Sequence, residues 1–255
     1  MNKIRIAVTG LLAAAVFSSF AVQAQEQARA QPVEMYVCSW QEGKGPGDLK
    51  KVTDKFSNWA DKNGPGYNAW TITPNFRSIP DGDGFDIGWI GSWADHKEMG
   101  STLDNWATGG GDLQEAFNDV IDCSNSHVLM ASVAVNAPDG PPDDGLVMFS
   151  SCKVDEDSNH EAAFAAHKKA AGAMREKGMN ASGSWLFYPS LGPGGESKFD
   201  YYLVATWPNY AALSQTFEAF HNKGGWKARQ QAFKGVVSCD TPRLYDARVV
   251  RKGKR

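Results

Sequence analysis

The chain has 255 residues, of which 42% are hydrophobic and 22% charged. That composition argues against a wholly disordered, collagen-like or multi-pass membrane protein. The formal charge is −3 and the one basic block is Arg251-Lys252-Gly253-Lys254-Arg255, so no concentrated cationic face marks a nucleic-acid partner.

Lys3 and Arg5 open the chain, Ile6 to Phe20 is an apolar run, and Val22-Gln23-Ala24 reads as a small-residue cleavage site. This tripartite pattern predicts a secretory signal over residues 1–24, the apolar run being short for a bilayer span. A retained N-terminal anchor is the alternative. No later stretch is apolar for long enough to make a membrane helix. The expectation is an exported protein, periplasmic or secreted, with no membrane partner once the signal is removed.

Residues 33–40 form a β-branched and aromatic run that predicts a strand. The glycine-rich stretch 43–47 lacks the G-K-[ST] ending of a phosphate cradle and is expected to be a surface loop. Asp48 is placed to cap a helix whose apolar face is Leu49, Val52, Phe56 and Trp59, and Asn63-Gly64-Pro65 ends it. Two strands follow, over 67–76 and 85–93, around a turn rich in Pro, Asp and Gly. In the second, Phe85, Ile87, Trp89, Gly91 and Trp93 alternate with Asp86, Gly88, Ile90 and Ser92. A helical region over 96–122 is interrupted at Gly109-Gly110-Gly111 and restarted by Asp112, and a strand over 127–135 closes this half. Residues 136–145 are a turn-rich linker with nothing to bury.

The second half repeats the order. Ser158-Asn159-His160-Glu161 reads as a capping box. Phe164, His167, Ala171 and Met174 continue the apolar helix face. Strands are expected over 185–189 and 199–207, a helical region over 210–233 and a last strand over 242–250.

The similarity of the halves goes beyond element order. Cys38 to Trp93 spans 55 residues and so does Cys152 to Trp207, and at the same offset of 114 Phe85-Asp86 falls on Phe199-Asp200. Small drifts align Trp70 with Trp185, Pro74 with Pro189, and Ala116-Phe117, Val120 and Cys123 with Ala232-Phe233, Val236 and Cys239. The chain is therefore read as a duplication: residues 1–24 signal, 25–135 first repeat, 136–145 linker and 146–255 second repeat. Four cysteines in an exported chain predict disulfides, and no C-x-x-C spacing suggests a metal site. If each copy carries its own bridge, Cys38 pairs with Cys123 and Cys152 with Cys239; bridges crossing between copies are the alternative.

Each half reads β-α-β-β-α-β, the ferredoxin-like unit. Strand three has apolar residues on both faces, with Ile90, Val204 and Tyr202 on the minor one, so the face without helices also needs a cover. Two sister units packing sheet to sheet supply it. The fold class expected is α+β, two tandem ferredoxin-like repeats. With the tryptophan and helix start after strand three (Ser92-Trp93-Ala94-Asp95 and Thr206-Trp207-Pro208-Asn209), the chain resembles the dimeric α+β barrel superfamily in fused form. That superfamily includes antibiotic-biosynthesis-monooxygenase-like, NIPSNAP-like and chlorite-dismutase-like proteins.

The resemblance implies that small molecules or haem sit in the cleft between a sheet and its helices, bordered here by Trp93 and Trp207; core packing is the plainer reading of both. Haem-degrading relatives carry a histidine about three turns past that tryptophan. Here Leu103 and Phe217 hold those positions and His221 lies one turn further on, which argues against that route. His167, set against Val52 of the first copy, is the histidine on an apolar face. It is a candidate haem ligand or general base, or a core histidine bonded to a backbone carbonyl. His160 is expected to face solvent, and His96 and His127 have no partner readable in the sequence. Asp86 and Asp200, at equivalent positions, are expected to pin the turn before strand three. Six of the nine tryptophans fall between Trp40 and Trp106, from an aromatic core or a pocket for a flat apolar ligand. No fingerprint for triad, zinc or nicotinamide chemistry is present. The reading is an exported protein that binds a small hydrophobic or aromatic molecule through a site including His167, Trp93, Trp207 or His221. It has no metal and no cofactor, haem being the exception kept open. The alternatives are a cofactor-independent monooxygenase or isomerase or a haem-dependent enzyme of this fold, and a structural or partner-binding module.

Overall fold

A computed structural model describes residues 29–77, 84–124, 126–179, 181–192 and 198–254. The segment expected to be a signal, 1–24, and the Pro/Asp/Gly turn at 78–83 lie outside the described residues. The first half contains β1 (Gln31–Trp40), α1 (Pro46–Asn63), β2 (Asn68–Pro74), β3 (Ile87–Ser92), α2 (His96–Gly109), α3 (Gly111–Asn118), β4 (Ile121–Asp122) and β5 (His127–Asn136). The second contains β6 (Gly145–Val154), α4 (His160–Glu176), β7 (Gly183–Leu191), β8 (Tyr201–Trp207), α5 (Tyr210–His221), α6 (Gly225–Phe233), β9 (Val237–Cys239) and β10 (Arg243–Arg251).

Within each half the long strands pair in the order second, third, first, last, and the two sheets join edge to edge through β5–β7 and β10–β2. The long strands therefore form one ring, β2-β3-β1-β5-β7-β8-β6-β10, every neighbour antiparallel. Closure leaves none of these strands with an open edge along its paired length. The inward residues are the apolar set expected to need a cover: Ile90 and Val204 pack with Val33, Trp70, Ile72, Met130, Phe149, Phe187 and Tyr245, and Tyr202 joins them. The helices lie outside, against the other face of each sheet.

Two short strands were not foreseen. β4 pairs with the end of β1 and β9 with the end of β6, placing Cys239 directly opposite Cys152. The disulfides are Cys38–Cys123 and Cys152–Cys239, one within each repeat. Asp86 and Asp200 perform matching tasks: the Asp86 carboxylate accepts from Trp40 N at 2.9 Å and that of Asp200 from Val154 N at 2.7 Å. Each fastens the start of strand three to the end of strand one in its own repeat.

Several local expectations are corrected. Pro46 starts α1 after N-cap Gly45, because proline needs no hydrogen-bond partner at a first helical position, and Asp48 sits in the first turn without capping. In α4 the cap is Asn159, accepting from Ala162 N, rather than Ser158. Gly110, not Asp112, is the N-cap of α3. The helical stretch of 210–233 breaks before Gly224, whose φ of 76° favours glycine. The third strand begins at Ile87, and Phe85 turns inward to stack on Tyr245.

The linker is not an idle spacer. Trp70 Nε1 donates to Pro142 O at 3.0 Å, and Val249 N donates to Asp144 Oδ1 at 2.7 Å. Residues 137–144 lie across one end of the barrel and help wall a cavity there of about 1020 Å³, with Trp70, Trp93, Trp185 and Trp207.

Candidate functional site

The two helix–sheet clefts differ because α1 and α4 differ. Their buried faces align at offset 114: Leu49, Val52, Thr53, Phe56 and Ala60 against Ala163, Ala166, His167, Ala170 and Met174. His167 therefore corresponds to Thr53, not Val52, and Phe56 to Ala170, not Ala171. In repeat two, the alanine face of α4 is met by Tyr201, Leu186 and Phe233, which fill the space. Repeat one instead keeps a cavity of about 120 Å³ between sheet and helices.

That cavity is walled by aromatic rings from several elements. Phe56 and Trp59 come from α1, Trp89 from β3, Trp93 from the turn after it, Trp106 from α2 and Phe117 from α3. The rings meet edge to face, with Trp59 and Trp106 5.1 Å apart and Phe56 packed against Tyr67, Trp89, Trp106 and Phe117, the arrangement that ring quadrupoles favour.

The polar side of the cavity is Glu34 on β1, 7% exposed. Alternation places Glu34 and Tyr36 on the helix side of the sheet with Cys38, while Val33 and Met35 point into the barrel. Glu34 Oε1 accepts from the Tyr67 hydroxyl at 2.5 Å, which in turn accepts from Trp89 Nε1 at 2.7 Å. Glu34 Oε2 lies 3.0 Å from His127 Nε2 and 3.3 Å from the Tyr36 hydroxyl. A carboxylate only accepts, so His127 presents its Nε2–H. The imidazole stacks flat on Tyr36, ring centroids 3.9 Å apart. Burial, reinforced by the Glu34 charge, pushes both phenols far above their ordinary pKa, so both stay protonated and donate. Gly91 lies directly across the ladder from Glu34, and any side chain there would collide with the Tyr67 hydroxyl. The equivalent positions of repeat two are Met148 for Glu34, Ser150 for Tyr36, Leu203 for Trp89 and Ala205 for Gly91. The constellation belongs to repeat one alone.

The residues singled out from sequence do not converge. Trp93, 2% exposed, borders both the cleft and the barrel-end cavity, and its Nε1 is buried with no hydrogen-bond partner among the described residues. Trp207 lines only the barrel-end cavity of the two, and its Nε1 donates to Thr216 Oγ1 at 2.8 Å. His221 is exposed at the end of α5, beside Phe217 and Phe220. His167, 3% exposed, lines neither cavity. Its Nε2 is hydrogen-bonded to the Tyr201 hydroxyl at 2.9 Å rather than to a backbone carbonyl. Its ring packs on Phe233, and it lies beside the sulfurs of Cys152 and Cys239, which are bonded to each other and so do not offer metal ligands. Burial, with the nearby Arg229 charge, lowers the His167 pKa to about 4. His160 and His96 are exposed.

Comparison with known proteins finds the fold but no close relative. No family model matches the sequence, and no curated protein matches it. Among solved structures, a putative monooxygenase from Fusobacterium nucleatum superposes with a TM-score of 0.58 at 10% identity, over 89% of this chain and 96% of that one. A mutant chlorite dismutase from Candidatus Nitrospira defluvii superposes with a TM-score of 0.52 at 10% identity, over 86% and 92%. The protein is a dimeric α+β barrel made by one chain, its two ferredoxin-like repeats taking the place of two subunits.

The expectation of no cofactor is corrected by this likeness. Structures sharing the fold include chlorite dismutases, so the likeness points to haem rather than to none. The side chains of this chain do not fit a haem. The repeat-one cleft, at about 120 Å³, is far smaller than the pockets that enclose large planar ligands. The barrel-end cavity is roomy, but no His, Cys, Met or Tyr among the described residues lines it to serve as an axial ligand. His167 faces a filled cleft.

Proposed function

We propose that the protein is exported and binds a small, largely apolar organic molecule of about one-ring size in the helix–sheet cleft of repeat one. The observation that carries this reading is an aromatic-walled cavity with a buried polar group on one side, built in one repeat and replaced by packed side chains in the other. A few convergent polar groups in an apolar pocket are what orient a bound small molecule. Cavities of about 150 Å³ hold benzene, so about 120 Å³ suits a ligand of that class. Export is supported by the signal-like N-terminus and by two disulfides, which persist in oxidising compartments.

The contact between Glu34 and His127 favours a second reading, in which the same cleft abstracts a proton from its ligand as a cofactor-independent monooxygenase or isomerase does. Glu34 would take that proton, with the Nε2–H of half-exposed His127 and the Tyr67 hydroxyl holding the carboxylate in place.

Titration with phenol, followed by tryptophan fluorescence, tests both. Saturable quenching is expected, weakened at least about tenfold by Leu103→Trp, since Leu103 lines the cavity while remaining 39% exposed. Quenching that does not saturate, or that Leu103→Trp leaves unchanged, removes the cleft as the site. Product from the bound probe that disappears in His127→Gln, with binding retained, selects the catalytic reading.

A further inference from the structure

The repeat-one cleft combines two features that attract the same kind of ligand. Its wall is built from the rings of Phe56, Trp59, Trp89, Trp93, Trp106 and Phe117, and Glu34 lines the same space. No lysine or arginine is among the described residues lining it. The carboxylate is held by the hydroxyls of Tyr36 and Tyr67 and by the Nε2–H of His127, donors that satisfy its lone pairs. The two hydroxyls bring no opposing charge, and His127, half exposed, does not line the cavity. A buried anion without a counter-charge is costly, and a cation within an aromatic box is attracted by the ring quadrupoles.

We propose, on the reading that this cleft is the binding site, that its ligand is a small organic cation, a compact quaternary or primary ammonium. Glu34 supplies the counter-charge and the indole and phenyl rings the walls. Trp93 Nε1, buried at the wall without a partner, offers a hydrogen bond to an acceptor oxygen on the same ligand. The class is then an ammonium carrying a hydroxyl or ether oxygen. Repeat two, with Met148 at the Glu34 position and alanines along α4, has lost both the charge and the box.

The test compares choline with its uncharged isostere 3,3-dimethylbutan-1-ol, and both with phenol, by tryptophan fluorescence on the full mature chain. Choline is expected to bind at least about tenfold more tightly than the isostere, about 1.4 kcal/mol. Glu34→Gln, which keeps the shape and removes the charge, is expected to abolish most of that ratio. Trp93→Phe should weaken choline and its isostere alike and leave their ratio intact. If phenol and the isostere bind as well as choline, the cation proposal falls while the cleft remains a binding site. If no probe saturates, both fall together. A choline preference that survives Glu34→Gln in full also overturns the proposal. The wild-type comparison stands even if the Glu34 variant fails to fold.

Discussion

Glu34 and His167 are both buried and ionisable, yet their surroundings give them opposite roles. Glu34 is surrounded by donors and borders a cavity, while His167 shares one hydrogen bond with a hydroxyl and is enclosed by Phe233, Tyr201 and a disulfide. His167 therefore contributes to stability rather than to ligand chemistry. Its folded pKa of about 4 lies below the unfolded value of 6.5, so the unfolded chain binds the extra proton as pH falls. The stabilisation is fully present above pH 6.5 and is lost as pH drops from there towards 4, about 3 kcal/mol in all. Thermal melts across that window should show a falling Tm, and His167→Gln should flatten the slope whatever its effect on absolute stability. An unchanged slope would show that other groups govern acid unfolding. In the sequence, His167 was visible as a histidine on an apolar helix face. Glu34 was not singled out, because a lone glutamate in a strand reads as solvent-facing. One signal was available: Glu34 and Tyr36 share strand parity with Cys38, whose face a disulfide must bury. His127 seemed partnerless because its partner lies 93 residues away across a strand pair.

At the scale of elements, the same architecture carries different contents in its two copies. Leu49, Val52 and Phe56 on α1 and Ala163, Ala166 and Ala170 on α4 occupy equivalent turns, and the smaller set allows the second cleft to be filled from the sheet and α6. Helical periodicity located both helices but left their mutual register one residue off, since it identifies a stripe and not its phase against a sheet. Of the C-terminal basic residues, Arg251 is built into the fold while Lys252 and Lys254 are exposed. Arg251, 6% exposed at the end of β10, donates to the carbonyls of Gly64 and Tyr67 and to Asp61 Oδ1. Lys254 joins Asp61, and Lys252 meets Asp143 of the linker. The hydrogen bonds from Lys254 and Arg251 hold the Asp61 carboxyl below the usual carboxylate range. Arg251→Ala strips donors from buried carbonyls and is expected to cost about 2–3 kcal/mol, measured by urea unfolding with an unchanged m-value. A loss below about 0.5 kcal/mol would show that the tail is dispensable.

For the whole molecule, closure of the barrel is the dominant fact. Each repeat alone would expose one face of its sheet and two strand edges. Together they bury both faces and pair both edges, with the linker bound over one end of the barrel. The disulfides lie within the repeats, at sequence separations of 85 and 87, so each restricts the unfolded chain over a long loop. Removing one, as in Cys38→Ser with Cys123→Ser, is expected to cost about 4 kcal/mol in the chain-entropy view. Denaturant unfolding measures it, and the matching pair at Cys152 and Cys239 should cost a similar amount. A marked inequality would mean that the His167 cluster beside the second bridge contributes its own share.

While the structure selected the within-repeat cysteine pairing over the crossed one, the order of the long elements, the duplication and the need for sheet-to-sheet cover were determined by the sequence alone. Each is written in local periodicity or in spacing repeated between the halves, and neither requires knowledge of distant neighbours. Only the tertiary structure decided which cleft stayed open and which polar group faces it. Glu34 meets Tyr67 and His127 across strands that are remote in sequence, and the space they border depends on how far six rings fall short of filling it. Such a difference between filled and unfilled volume comes from packing in three dimensions, and no one-dimensional pattern records it.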